Sequence, residues 1–263
     1  MSGIEKAITR LAALENGETA GFVPDARCML IVTLVYLVAL LSLPAGNLSH
    51  IIWFAFYPII GCGILGVSYS VLFRRSLCVL PFIALIGIAN PIFNRESAFE
   101  VAGVMITRGW LEFISILLRG LFSVQALLLM CSANGFAGIC RAMSRLGLPS
   151  ALTTQMLLVY RYLGVLLSEA LDMKRARESR GFGRKSLPIS RWGAFVGQLF
   201  VRTVGRAERI HNAMLARGFE GTFRYSSRSS SRWKATDTVY LVIWIALFAA
   251  LYCFNPSEFM FAL

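Results

Sequence analysis

Lysine is scarce in this chain, histidine occurs twice and cysteine is scattered, and each shortage removes a class of function. The four lysines are Lys6, Lys174, Lys185 and Lys234, and none follows a glycine. The loop Gly-x-x-x-x-Gly-Lys-Ser/Thr that cradles nucleotide phosphates is therefore missing, so ATP chemistry would belong to a partner. His50, read in an outside loop, and His211, in a basic helix, have no metal-ligand spacing around them. The six cysteines (Cys28, Cys62, Cys78, Cys131, Cys140 and Cys253) contain no Cys-x-x-Cys pair. They read as small buried hydrophobes, not as a zinc site or a disulfide framework. With no paired carboxylates in any apolar run, no catalytic residue, cofactor or bound metal is assigned.

Charge of both signs is low. Charged residues make up 15% of the 263 positions and hydrophobic ones 57%, with a mean hydropathy of +0.65. A soluble domain carries about 25% charged residues, so this is the composition of a membrane protein. The first 18 residues hold five charges (Glu5, Lys6, Arg10, Glu15, Glu18) and no compact apolar core, which argues against a cleaved signal peptide. Ile4, Ile8, Leu11 and Leu14 instead form the stripe of a short surface helix.

Five apolar runs follow, at 28–43, 51–73, 77–93, 113–133 and 238–254. The first is short for a span, although ~17 residues suffice. The fold class expected is an all-α integral membrane protein of five transmembrane helices with a cytoplasmic insertion of long amphipathic helices. The corresponding segments are an N-terminal part at 1–27, four spans over 28–133, the insertion at 134–236, and a last span with its tail at 237–263.

Net charge is +12, and 22 of the 26 cations are arginine. Fifteen cations fall between Lys174 and Lys234 against three acids, Glu178, Glu208 and Glu220. The positive-inside rule puts this segment and Arg74-Arg75 in the cytoplasm. The segments then left outside hold two arginines, Arg95 and Arg108, against Glu96, Glu100, Glu112 and Glu258. The N-terminus is thus expected inside and the C-terminus outside; the location expected, in line with the family resemblance given below, is the cytoplasmic (inner) membrane of a bacterium. So basic a segment suits an acidic protein surface or anionic lipid headgroups, and nothing in it points to nucleic acid. Arg119 is the one charge placed within an apolar run, which makes it a candidate functional charge or a side chain that snorkels to water.

Within the insertion, Leu148-Pro149-Ser150 breaks one helix and starts the next, which begins apolar at Leu152, Met156 and Leu157 and ends charged. Residues 181–188 read as a loop, Ser190 as the N-cap of a third helix, and 226–231 as a serine-rich linker. The third helix carries an apolar stripe of Trp192, Phe195, Val196, Leu199, Thr203, Ala207, Ile210 and Met214, opposite Arg202, Arg206 and Arg209.

The sharpest signal is a repeat. Ser179-Arg180-Gly181-Phe182 recurs as Ala216-Arg217-Gly218-Phe219, 37 positions on, and each phrase ends a helical segment. Glycine suits the left-handed residue that closes a helix. The arginine before it lies in the last turn, where the unpaired carbonyls favour a cation. From there a guanidinium fork projects beyond the helix toward a carboxylate or phosphate. Either phrase alone describes a capped helix with a solvated arginine; the pair, in a basic insertion, describes a two-pronged docking surface.

With Asp25-Ala26-Arg27, Asn90-Pro91-Ile92-Phe93, Leu146-Gly147-Leu148-Pro149, Tyr160-Arg161-Tyr162, residues 176–181 and 213–218, the chain resembles the transmembrane T component of energy-coupling factor transporters. The resemblance is closest to the Q subunit of cobalt and nickel uptake systems. It implies a non-catalytic subunit that couples two ATP-binding-cassette ATPases to a separate substrate-capture membrane protein. By the same resemblance, Ser179-Arg180-Gly181 and Ala216-Arg217-Gly218 would be the ATPase-docking motifs, with serine standing where the family usually has alanine in the first. A T component of a vitamin transporter is the near alternative. A more distant one is a membrane enzyme acting on anionic lipids, which would draw its base from Glu169, Asp172, Glu178, Glu208 or His211. Surface pairs such as Glu178 with Lys174 account for those acids equally well.

Overall fold

A computed structural model describes residues 24–44, 48–93, 97–101, 104–180, 192–221 and 233–253, with the backbone alone at 92–93 and 97–108. The expected N-terminal surface helix, the 181–188 loop, the Ser190 cap, the serine-rich linker and Gly181 of the first arginine phrase lie outside the described residues. Among the described residues the fold is helical apart from one short antiparallel hairpin. It comprises α1 (Ala26–Ser42), α2 (Leu48–Trp53), α3 (Phe56–Leu65), α4 (Tyr69–Leu77), α5 (Leu80–Gly87), α6 (Ala89–Phe93), β1 (Ser97–Val101), β2 (Val104–Thr107), α7 (Arg108–Arg145), α8 (Ser150–Arg180), α9 (Trp192–Leu215) and α10 (Ala235–Cys253). The chain divides into two compact units, with boundaries after Ala142 and after Ser230.

The larger unit is a membrane bundle. Leu48–Leu65, Gly109–Arg145 and Ala235–Cys253 are each long and apolar enough to cross a bilayer. Tyr69–Leu77 with Leu80–Pro91 forms a further span bent by 46°, and Ala26–Ser42 is a shorter apolar helix. Ser150–Arg180, in the other unit, also passes on length and composition.

Side-chain contacts give the direction of each helix relative to α1. The Tyr36 hydroxyl donates to the Phe54 carbonyl at 3.0 Å, and the Thr33 and Tyr57 hydroxyls lie 3.1 Å apart, so α2 and α3 run antiparallel to α1. Arg119 of α7 reaches the Leu43 carbonyl at the end of α1, while Asn134 reaches Met29 near its start; α7 is antiparallel as well. The start of α10 meets the start of α1 through Asp237 and Asp25, and Phe248 lies 5.4 Å from the Tyr36 ring. Eleven residues separate the two contacts on each helix, so the first and last spans run parallel and in step. Because α3 descends and α7 must descend again, the segment between them has to ascend, and α4 with α5 is a true crossing. Five spans result.

Tyr36, Phe54, Tyr57, Trp244 and Phe248 form the centre of this core, with Tyr57 and Trp244 edge to face at 4.8 Å. Small residues set how closely the helices approach. A Cβ at Gly61 would come within 2.5 Å of the Leu129 side chain, and one at Gly120 would collide with the Ile83 side chain, so Leu129 of α7 packs on the bare backbone of α3 and Ile83 of α5 on that of α7, as small residues allow in membrane bundles.

Three expectations are corrected. The second span ends at Leu65, not Phe73: Gly66 takes a left-handed φ of 69° and closes the helix, with the Val67 N–H returning to the Cys62 carbonyl. Arg74-Arg75 consequently lie in the last turn of α4. The polar stretch at 94–112 includes the β1–β2 hairpin, paired from Ser97 with Thr107 to Val101 with Val104. His50 is not in a loop but buried in α2. The fourth apolar run and the helix after it form α7, kinked at Gly135, where φ is 59° and ψ is 168°.

Candidate functional site

The smaller unit holds the arginine phrases. At the end of α7 the Leu148 N–H returns to the Met143 carbonyl, and Gly147 is left-handed at φ 102°. Pro149 then starts α8 without needing an amide bond. Apolar at its start and charged at its end, α8 runs to Arg180.

The second phrase is described in full. After α9, the Gly218 N–H bonds to the Leu215 carbonyl at 2.9 Å and the Phe219 N–H to the Met214 carbonyl at 3.0 Å, with Gly218 at φ 77°. This double bond pattern closes the helix with glycine at the first residue past the cap. Arg217 is thereby the cap residue itself, its backbone held and its side chain exposed. Any Cβ at position 218 would incur left-handed strain.

Ser179 and Arg180 are exposed at the end of α8, as are Ala216, Arg217 and Gly218. Neither Arg180 nor Arg217 forms an ion pair with another described residue. Among the described residues, two long helices therefore each end in a guanidinium with no ion-pair partner.

Other arginines in this unit, Arg175, Arg202 and Arg206 among them, are engaged. Glu169 of α8 accepts a hydrogen bond from Arg206 Nη2 at 2.6 Å on Oε2, and Arg202 Nη1 stands 3.7 Å from Oε1. Glu178 pairs with Lys174 and Asp172 with Arg175, both on α8 itself. Sequence reasoning grouped Glu169 with these surface acids and missed its bond to α9. A legible signal existed: Glu169 and Arg206 are separated by the same 37 positions as the two arginine phrases.

The apolar stripe of α9 is half-buried at Phe195, Leu199, Thr203, Ile210 and Met214 and exposed at Trp192, Val196 and Ala207. Trp192 is 49% exposed and Val196 56%, and off the stripe Phe200 is 66% exposed.

Arg119 sits in the membrane unit, away from the arginine phrases in sequence and role. Its Nη2 donates to the Leu43 carbonyl at 2.7 Å, and Leu43 caps the C-terminal end of α1. A cation is favoured at such an end, so the bond gives the intramembrane charge a structural occupation. His211 is exposed on α9 and His50 is buried. Among the described residues no three histidine, cysteine or acidic side chains converge as a metal site.

Asp237 was absent from the sequence reading. It accepts from the Lys234 N–H at 2.9 Å, closing the first turn of its own helix as a capping box does, and from the Asp25 N–H at 3.1 Å. Asp25 in turn caps α1 by accepting from the Arg27 N–H. Two buried carboxylates lie close together here because each faces a positive helix N-terminus.

Comparison with known proteins places this geometry. Residues 18–230 match the family described as CbiQ, cobalt transport protein. An uncharacterised protein of Methanocaldococcus jannaschii is 26% identical over 210 residues, covering 72% of this chain and 71% of the relative. The cobalt transport protein CbiQ of Salmonella typhimurium is 28% identical over 157 residues, covering 55% and 69%. A match across most of the chain, together with a multi-pass helical bundle, shows that this protein belongs to the CbiQ family of cobalt transport proteins.

Proposed function

We propose that this chain is the membrane coupling subunit of an ATP-driven importer of the energy-coupling factor type. Movement of two ATPase subunits enters through Arg180 and Arg217 and passes to a separate substrate-capture subunit in the membrane. Cobalt is the favoured cargo, in line with the family description and the name of the Salmonella relative, and nickel is the related alternative. The observation that carries the reading is the pair of exposed arginines ending α8 and α9, without an ion-pair partner among the described residues, with Arg217 fixed by the left-handed closure at Gly218. Of the bases open to the lipid-enzyme alternative, Glu169 is already held by two arginines.

Orientation follows the same reading. Because α7 descends to the side on which α10 begins, the chain between them makes no net crossing. The fifteen cations between Lys174 and Lys234 put that side in the cytoplasm. The protein is accordingly an inner-membrane subunit with its N-terminus inside, surrounded by membrane lipid.

Reconstitution tests the function: vesicles holding this chain, the ATPases and the capture subunit should accumulate cobalt on ATP addition. Omission of any one should reduce uptake to background. The chain alone should neither hydrolyse ATP nor bind cobalt tightly, since tight binding wants several converging imidazole or thiolate ligands. Sub-micromolar cobalt binding near one per chain in calorimetry would overturn the assignment. Orientation has its own test, in which a single cysteine at Arg184 should resist an impermeant maleimide in intact cells while one in the 94–96 segment reacts; reversed labelling would refute it.

A further inference from the structure

We propose that Glu169 is a positioning residue, the pivot between α8 and α9 that sets how far apart Arg180 and Arg217 are presented. This rests on the docking reading above and goes beyond it by saying what holds the two prongs in register. The helices meet over one short stretch, and there Glu169 reaches two cations of α9 that are four residues apart. Its side chain is only 16% exposed, against 37% for Arg206 and 52% for Arg202, so the carboxylate is the more enclosed partner.

The placement is symmetric. Arg180 lies 11 residues beyond Glu169, and Arg217 lies 11 residues beyond Arg206. At the rise of a helix each prong therefore stands about 16 Å from the joint. The 37-residue offset that relates the arginine phrases also relates the two halves of the joint, so the internal repeat includes the pivot as well as the tips. Equal arms mean that a turn at the joint moves both tips alike: about 10° shifts each by roughly 3 Å on arms of that length. Arg202 and Arg206 occupy successive turns of one face of α9, and a carboxylate between them keeps one bond while the other stretches.

A partly exposed ion pair adds little to stability, so the effect predicted is geometric. Spin labels on genetically encoded amino acids at Ala176 and Ala213, which leave the native cysteines alone, read the spacing in nanodiscs. The wild type should give one narrow distance distribution. Glu169→Ala should at least double its width and weaken assembly with the paired ATPases tenfold or more, while binding of a single ATPase subunit changes less than twofold. The charge exchange Glu169→Arg with Arg206→Glu should restore both. An unchanged width, or unchanged paired assembly, in Glu169→Ala would overturn the pivot. Full assembly after loss of both Arg180 and Arg217 would instead overturn the docking reading, with the pivot still judged by the width.

Discussion

Replacing Arg180 and Arg217 together with alanine is expected to abolish ATP-dependent cobalt uptake while the protein still inserts and packs its bundle. Each arginine ends a helix with no described ion-pair partner of its own, so its removal leaves no internal charge stranded. The cost falls on the partner, whose acceptors lose charge-assisted hydrogen bonds; truncating one side of a desolvated charge pair costs about 2–5 kcal/mol. With one prong gone, the other still tethers its ATPase and benefits from a high effective concentration. Single variants should therefore weaken assembly ten- to a hundredfold, and the double variant should leave no measurable complex. Lysine at both positions should rescue poorly, because a point charge does not reproduce a planar fork. Uptake at wild-type rates in the double variant, at equal protein in the membrane, would refute docking through these residues.

Asp237→Ala should be the most damaging single change to the bundle itself. Asp237 is 3% exposed and accepts from the amides of Asp25 and Lys234. Lys234 is exposed and can find water for its amide, but the Asp25 amide is buried. Leaving it without an acceptor costs about 1–3 kcal/mol. Removing a negative charge from two helix N-termini adds roughly 0.3–1 kcal/mol for each. Asp237→Asn keeps an acceptor oxygen and should lose less than half as much. Thermal unfolding in mild detergent should show a drop of several degrees for alanine and a smaller one for asparagine. Equal midpoints for wild type and Asp237→Ala would mean that the first and last spans are held together by packing alone.

What was readable in the sequence was local. The apolar runs announced the spans, Leu148-Pro149 announced a break, and Gly218 announced a left-handed helix end, each signal lying within a few residues of its effect. The misplaced end of the second span has a physical cause. The sequence stays apolar on both sides of the turn at Gly66, from Gly63-Ile64-Leu65 to Val71-Leu72-Phe73, so hydropathy registers no boundary. The hairpin escaped because its charges were counted while the alternation in its strands was not. Glu169 and Asp237 escaped for another reason: their partners lie 37 and 212 positions away, and nothing in either residue's neighbourhood distinguishes it from a surface acid.

The parallel pairing of α1 with α10 also sets a timetable. At roughly 5–20 residues per second, the ribosome supplies Asp237 some 10–40 s after Asp25. Through that interval α1 waits in the bilayer with its cap amide unmatched and the faces of Tyr36 and Tyr57 uncovered by Trp244 and Phe248. The nascent bundle cannot close until nearly all of its helices have been made, which is the kinetic burden of high contact order. Lesions in α10 should thus be seen first by membrane proteases, as lower abundance, while the molecules that survive transport at a normal rate.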